Sequence, residues 1–203
     1  MAEESGTDLV RIAFDLLGER GWHRFSFTEV ARRAGTSLAE VYAELPDRGA
    51  LLRVLGRRLD AEMLGLDPAE LEGLSARERV FELIMRRLDA MAPYKEGLRA
   101  LARQAGREPA LMASACCNLD RLSRRLIDAA TTEDGPALGK VARRATEAIY
   151  LRTFRVWLDD DTPDMARTLA ELDKRLQQAE TVARWFAGMH RFCPRAAKAE
   201  AAA

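Results

Sequence analysis

The sequence predicts an all-α protein in which a small three-helix unit precedes a larger helical domain. Ala, Leu, Arg and Glu dominate the 203 residues, and these residue types favour helix. Apolar residues recur every three or four positions through most of the chain, which is the spacing of one helix face. Runs of β-branched residues do not occur in the sequence, so we predict no strand.

The first predicted helix extends from about Asp8 to Arg20 and carries one apolar stripe. Gly21 ends it, because glycine readily adopts the backbone conformation that follows a helix C-terminus. Trp22 and Phe25 then turn the chain, and we expect both side chains to pack on the stripe.

Two short helices separated by a glycine turn follow this segment. Ser26 caps the first of them and Ser37 caps the second, each with a glutamate three residues later as the return partner of a capping box. Gly35 supplies the positive-φ turn, and Pro46 stops the second helix. A helix-turn-helix of this kind normally places its second helix in the DNA major groove.

Longer helices make up the rest of the chain. Asp47 caps a fourth helix that continues to about Leu64, and Ser75 caps a fifth that continues to about Met91. Four further helices are predicted at about 93–104, 109–130, 136–158 and 163–189, with a polar loop at 131–135. The last begins at Thr162-Pro163, a pair that suits the N-cap and N1 positions. We place the domains at 8–55 and 56–190, followed by a disordered tail at 191–203.

The charge balance limits how the chain could contact nucleic acid. The formal net charge is +0, whereas a typical nucleic-acid binder carries a basic surplus. Residues 1–55 hold seven arginines against nine carboxylates, a net charge of −2. Any contact with DNA phosphates would therefore depend on a local patch.

Several kinds of site are not indicated by the sequence. Cys116, Cys117 and Cys193 lack the CxxC spacing of metal ligands, and only two histidines accompany them, so we predict no metal site and no cofactor. No phosphate-binding glycine loop or nucleophile elbow occurs, so we predict that the protein is not an enzyme. No signal peptide and no apolar run of about 20 residues is present, which predicts a cytoplasmic protein without a transmembrane segment.

Several short motifs occur in a specific order within the first unit: Arg20-Gly21-Trp22, Val30-Ala31, Ala34-Gly35-Thr36-Ser37, Tyr42 and Leu45-Pro46-Asp47-Arg48. In this order and spacing, they resemble the DNA-binding domain of the tetracycline-repressor family of bacterial regulators. The resemblance implies three N-terminal helices, a connecting fourth helix and a variable helical ligand domain. It also implies a homodimer formed through the last two helices.

The resemblance implies a set of DNA contacts in double-stranded operator DNA. The set consists of cap residues, residues at the exposed start of the recognition helix, side chains that bind phosphate and one flanking cation. Its members are Arg24, Ser26, Thr36, Ser37, Leu38, Ala39, Glu40, Tyr42 and Arg48. The chain departs from the family by carrying Glu44 near the DNA backbone and no Lys or Arg from Ser37 to Leu45. An alternative is therefore that the unit is retained as a scaffold that does not bind DNA.

The second domain carries the residues expected to bind a small apolar ligand or lipid. Adaptable thioether and aromatic side chains suit such a pocket. Six residues could line it, namely Phe81, Ile84, Met85, Met91, Tyr94 and Met112, and we predict Phe81, Met85, Tyr94 and Met112 as the ligand contacts. The alternative is that they are ordinary core residues. Helices 8 and 9 carry further apolar residues, which either complete the core or form a homodimer seam: Ile149, Phe154, Trp157, Leu172, Leu176, Trp185 and Phe186. We favour the homodimer, and predict a ligand-responsive DNA-binding transcriptional regulator that acts as a repressor.

A second set of motifs lies between about residues 90 and 180: Pro93–Arg99, Glu147–Leu151, Trp157–Pro163 and Leu172–Arg175. These motifs resemble the lipid-binding accessory proteins of ubiquinone biosynthesis. That resemblance implies an alternative function, in which the protein handles an isoprenoid lipid and has lost DNA binding.

Overall fold

A computed structural model describes residues 8–130 and 140–192, and these residues form nine α-helices without a strand. The helices are α1 (Leu9–Arg20), α2 (Phe27–Ala34), α3 (Leu38–Glu44), α4 (Arg48–Leu64), α5 (Ala76–Met91), α6 (Lys95–Gln104), α7 (Pro109–Ala130), α8 (Lys140–Leu158) and α9 (Ala166–Phe192). Short 3₁₀ turns lie at Trp22–Arg24, Pro68–Leu71, Ala92–Tyr94 and Ala105–Arg107. The predicted start of helix 8, the polar loop and residues 193–203 of the predicted tail lie outside the described residues. Residues 191 and 192, predicted as tail, belong to α9.

Local capping explains where most of these helices begin. The Asp8 carboxylate accepts hydrogen bonds from the first turn of α1, and the capping boxes Ser37–Glu40 and Ser75–Glu78 are both complete. The box predicted at Ser26 is only half formed. The Ser26 hydroxyl accepts from the Glu29 amide at 3.3 Å, but the Glu29 carboxylate binds two arginines instead of returning to Ser26.

The predicted start of helix 9 is wrong, because α9 begins at Ala166 and not at Pro163. The cause is the buried carboxylate of Asp160, which accepts hydrogen bonds from the amide and hydroxyl of Thr162 at 3.2 and 2.6 Å. It also accepts from the amide and hydroxyl of Thr168 at 2.8 and 2.7 Å. Burial alone would raise the pKa of Asp160, but these hydrogen bonds outweigh it and hold that pKa well below its ordinary value. Thr162 is thereby held in a turn that precedes the helix.

One apolar core extends from α1 to α9. α1 packs along α6, α4 packs against α5 and α7, and α8 packs against α9. The contact between α1 and α6 is close because Gly97 of α6 lies against the backbone of Phe14. The proposed division near residue 55 stays a prediction, since the buried core runs through both parts.

Within the described residues, no helix combines the length and hydropathy needed to cross a membrane.

Candidate DNA-binding surface and ligand cavity

The helix-turn-helix leaves one face of α3 exposed to solvent. Gly35 adopts φ 66° and ψ 27°, a left-handed conformation that lets α3 turn away from α2. Val41 and Leu45 fix α3 to the core, and both are fully buried. The exposed residues of the helix are Leu38, Ala39, Glu40, Tyr42 and Ala43, of which only Glu40 is charged. The geometry therefore presents a largely apolar surface where the sequence predicted a recognition helix.

The acidic residue of this helix is occupied within the protein. The Glu40 carboxylate accepts hydrogen bonds from the Ser37 amide at 2.8 Å and the Ser37 hydroxyl at 3.0 Å, and also from the Thr36 hydroxyl. Hydrogen bonds from Thr36 and Ser37 lower the pKa of Glu40. Two hydroxyls of the predicted set of DNA contacts, those of Thr36 and Ser37, are thus directed at this carboxylate, and a phosphate would have to compete with it.

The remaining predicted DNA contacts differ in their availability. Tyr42 is 47% exposed and its ring lies edge-on to Phe27, so its hydroxyl is accessible. Arg24 is exposed and forms no ion pair among the described residues. Arg48 instead donates a hydrogen bond to the carbonyl oxygen of Phe25 at 2.8 Å and lies over the ring of Trp22 at 5.0 Å. Its guanidinium group therefore holds the turn after α1.

Ion pairs counter the carboxylates that the sequence places near this surface. Arg58 of α4 binds Glu44 at 2.9 Å and Asp8 at 2.6 Å, while Glu29 is shared by Arg20 and Arg32. Across residues 8–58, each described carboxylate either pairs with an arginine or belongs to the Glu40 cap. The sequence did not reveal the Glu44–Arg58 pair, because its members belong to different helices.

A cavity of about 130 Å³ lies among α4, α5, α6, α7 and α8. Most of its wall is apolar, and the lining residues are Leu52, Leu55, Gly56, Leu59, Arg87, Met91, Leu98, Ala115, Asn118, Leu119, Leu122, Tyr150, Leu151 and Phe154. Three of them, Arg87, Asn118 and Tyr150, bring polar atoms to it. An apolar pocket with a few polar groups is the usual form of a small-molecule site.

None of the four predicted ligand contacts lines this cavity. Met85 is buried in the core and Phe81 packs against it, while Met112 is 45% exposed on α7. Tyr94 lies at the α1–α6 contact, with its ring 5.5 Å from that of Phe14. Their part in ligand binding stays a prediction. Of the six residues that the sequence suggested for a pocket wall, Met91 alone lines this cavity. The other lining residues come from five helices, and no local pattern marks them as neighbours.

Two of the four motifs of the second resemblance, Pro93–Arg99 and Trp157–Pro163, meet at one structural junction. Lys95 of α6 lies over the Trp157 ring at 5.1 Å and donates to the Asp160 carbonyl, while Arg99 donates to the Leu158 carbonyl and pairs with Asp161 at 2.9 Å. These contacts bind the start of α6 to the end of α8. The two motifs therefore have a structural explanation in this chain.

No family model and no curated protein matches the sequence. Solved structures do match. A TetR transcriptional regulator from Nitrosomonas europaea has a TM-score of 0.72 at 24% identity, covering 85% of this chain and 95% of that one. A putative TetR-family regulator from Rhodococcus sp. has a TM-score of 0.61 at 18% identity, covering 83% and 95%. A TetR-family regulator from Streptomyces coelicolor has a TM-score of 0.60 at 20% identity, covering 93% and 90%.

This chain has the TetR fold. The likeness spans both the helix-turn-helix and the larger helical part, since most of each chain is covered. The predicted all-α fold with an N-terminal helix-turn-helix is therefore confirmed. At these identities, the TetR likeness establishes the architecture and leaves the activity to be argued from the site.

Proposed function

We propose that the protein is a ligand-responsive, DNA-binding transcriptional regulator of the TetR type, which acts as a cytoplasmic homodimer. The observation that carries this proposal is the exposed face of α3, presented by a complete helix-turn-helix whose neighbouring carboxylates are countered by arginines. Structural neighbours with the same fold are described as transcriptional regulators, which supports it.

The chemistry of α3 favours a particular way of reading DNA. Leu38 and Ala39 carry no hydrogen-bonding groups, and small apolar side chains contact the methyl group of thymine in the major groove. Affinity would come from phosphate contacts made by Tyr42, Arg24 and backbone amides near the helix ends. We therefore expect modest base discrimination and a clear electrostatic component.

The proposed homodimer uses the outer faces of α8 and α9. Trp157, Leu172 and Leu176 are buried within the chain itself, so they complete its core and are not available to a second copy. Leu151 and Val182 are 42% and 53% exposed on α8 and α9, which makes them candidates for the seam. A two-fold dimer would place two α3 helices in successive major grooves, about 34–36 Å apart.

A ligand in the cavity could alter the position of α3 through the cavity walls. Leu55 and Leu59 of α4 and Leu98 of α6 line the cavity. α4 leads directly from the helix-turn-helix, and α6 packs along α1. A ligand that binds one arrangement of these helices more tightly than another would shift the spacing of the two α3 helices.

The accessory-protein alternative receives no support from the described residues. Two of its four motifs form the α6–α8 junction, and the cavity volume of about 130 Å³ is close to that which accommodates one aromatic ring.

Binding of the full-length protein to duplex DNA across a salt series tests the proposal. A regulator of this kind should show log affinity falling linearly with log salt, with a slope of about −0.9 for each phosphate contacted. Arg24→Gln should reduce the magnitude of that slope by about one. Arg107→Gln is the matched control, because Arg107 is exposed on the turn that follows α6. Negligible binding at low salt would refute the regulatory function.

A further inference from the structure

A buried carboxylate between α4, α5 and α7 binds three arginines at once. Asp60 has an exposed fraction of 0%. It accepts hydrogen bonds from Arg87 of α5 and from Arg121 and Arg125 of α7, the Arg121 Nε bond being 2.9 Å long. In the described part of the chain, these three arginines pair with no other carboxylate. The cluster therefore carries a formal surplus of two positive charges.

A surplus of this kind is unfavourable when the groups are withdrawn from water. The Arg87 side chain is only 5% exposed, and those of Arg121 and Arg125 are about one-third exposed, at 30% and 37%. Charge in such surroundings is costly unless it is paired. An additional anion beside the cluster would remove much of this cost.

The cluster lies beside the cavity, and its Arg87 belongs to the cavity wall. Arg87, Gly56 and Asn118 all line the cavity wall. Arg121 lies directly behind them, and its Nη2 donates a hydrogen bond to the Asn118 side-chain oxygen at 2.9 Å. If residue 56 carried a Cβ, that atom would lie only 2.6 Å from the same Nη2. The absence of a side chain at Gly56 is what lets the guanidinium group approach this wall. One wall of the apolar cavity therefore carries a cationic group.

A second polar group beside Arg87, the Tyr150 hydroxyl, lacks a strong hydrogen-bond acceptor for its proton. The Tyr150 hydroxyl accepts a hydrogen bond from Arg87 Nε at 3.3 Å, and its own proton is directed at the Met91 sulfur, 3.6 Å away. A thioether is a weak acceptor. Tyr150 is 92% buried and lines the cavity, so a ligand within the cavity could offer its hydroxyl a better acceptor.

We propose that the cavity binds a small apolar carboxylate. The carboxylate accepts hydrogen bonds from Tyr150 and Arg87 beside the Asp60 cluster, and the apolar body lies among Leu52, Leu119 and Phe154. The cavity volume of about 130 Å³ suits one aromatic ring or a short aliphatic chain, since an apolar cavity of about 150 Å³ accommodates benzene. This inference rests on the ligand site of the proposed function and names the class of its ligand.

Calorimetric titration of the full-length protein with benzoate and its neutral analogue benzamide tests the inference. The acid should bind about tenfold or more tightly than the amide, because hydrogen bonds to a charged acceptor are the stronger ones. Arg121→Gln and Tyr150→Phe should each weaken acid binding by about tenfold and reduce the preference over the amide. Arg124→Gln is the matched control, because Arg124 neighbours Arg125 on α7 but pairs with Asp120.

Equal affinity for acid and amide, or no binding of either, would overturn the carboxylate proposal. An equal loss of affinity for the acid in Arg121→Gln and Arg124→Gln would overturn the proposal as well, because the loss would then reflect the net charge of the protein and not the Asp60 cluster. If Arg121→Gln does not fold, Tyr150→Phe decides the result alone, because it removes one hydroxyl without changing charge. The salt dependence of DNA binding is measured without ligand, so its outcome judges the regulatory function separately.

Discussion

Substitution of Gly97 by alanine should loosen the contact that joins α1 to α6. A Cβ at this position would overlap the Phe14 carbonyl oxygen and would lie 2.8 Å from the Phe14 ring and 3.0 Å from the Phe14 Cα. Two of these three atoms belong to the backbone, so rotation of a side chain cannot relieve the overlap. The helices would have to separate by about 1 Å to restore ordinary contact distances.

The size of the effect follows from two opposing terms. Alanine is favoured over glycine inside a helix by about 0.5–1 kcal/mol. Overpacking of a closely packed interface costs about 1–3 kcal/mol or more, and here the rigid backbone of Phe14 places the cost at the upper end. We therefore expect Gly97→Ala to lower the free energy of unfolding by about 2–2.5 kcal/mol, which corresponds to a fall of about 4–10 °C in the melting temperature.

Urea denaturation of the two proteins, followed by circular dichroism, measures this difference. Gly106→Ala is the matched control, because a Cβ there meets nothing within 4 Å and the residue does not require a positive φ. Its stability should equal or slightly exceed that of the wild type. A Gly97→Ala protein as stable as the Gly106→Ala protein would refute the close-contact argument.

Three further substitutions test other parts of the structure. The pKa of Asp160 is lower in the folded state than in the unfolded state. The ionised Asp160 carboxylate therefore stabilises the fold fully above the unfolded-state pKa near 4, and this stabilisation is lost as the pH falls through the folded-state pKa. Asp160→Asn should therefore lower the free energy of unfolding at pH 7 by about 1–3 kcal/mol. Urea denaturation should show the difference in free energy of unfolding between the wild type and Asp160→Asn becoming smaller below about pH 4. A difference that stays constant there would contradict the role of the Asp160 carboxylate. Val182→Asp should convert the proposed dimer to a monomer in native mass spectrometry. Met112→Asp, at an exposed position of α7, should leave the dimer intact. If both variants are dimers, the dimer interface does not include Val182. Arg48→Met should lower the melting temperature relative to Arg24→Met, because only Arg48 holds the turn after α1, and equal melting temperatures would exclude that role.

The sequence predicted most helix boundaries because they depend on neighbouring residues. The boxes at Ser37 and Ser75 lie within three residues of their glutamates, and the helix that starts at Pro109 follows from the restricted φ of proline. The apolar period of α1 likewise lies within one segment. The prediction failed at Thr162, where local preference favoured an N-cap and the buried carboxylate of Asp160 held the residue in a turn.

The candidate site was less predictable, because most of its contacts join residues that are distant in the sequence. The sequence located the exposed face of α3, because the buried positions Val41 and Leu45 define its opposite side. It did not reveal that Arg58 counters Glu44, nor that Arg48 holds a backbone carbonyl. Long, flexible arginine side chains choose partners across helices, and their choice is absent from any local pattern.

The amino-acid order by itself determined the helices, their caps and the helix-turn-helix, since hydrogen bonds and apolar periodicity over a few residues suffice for each. Only the packing of the helices decided which side chains meet. It placed the wall of the cavity on five helices and assembled three arginines around Asp60 from segments up to 65 residues apart. Such contacts are set by the burial of apolar faces, which fixes the distances between helices but leaves no mark in the local sequence.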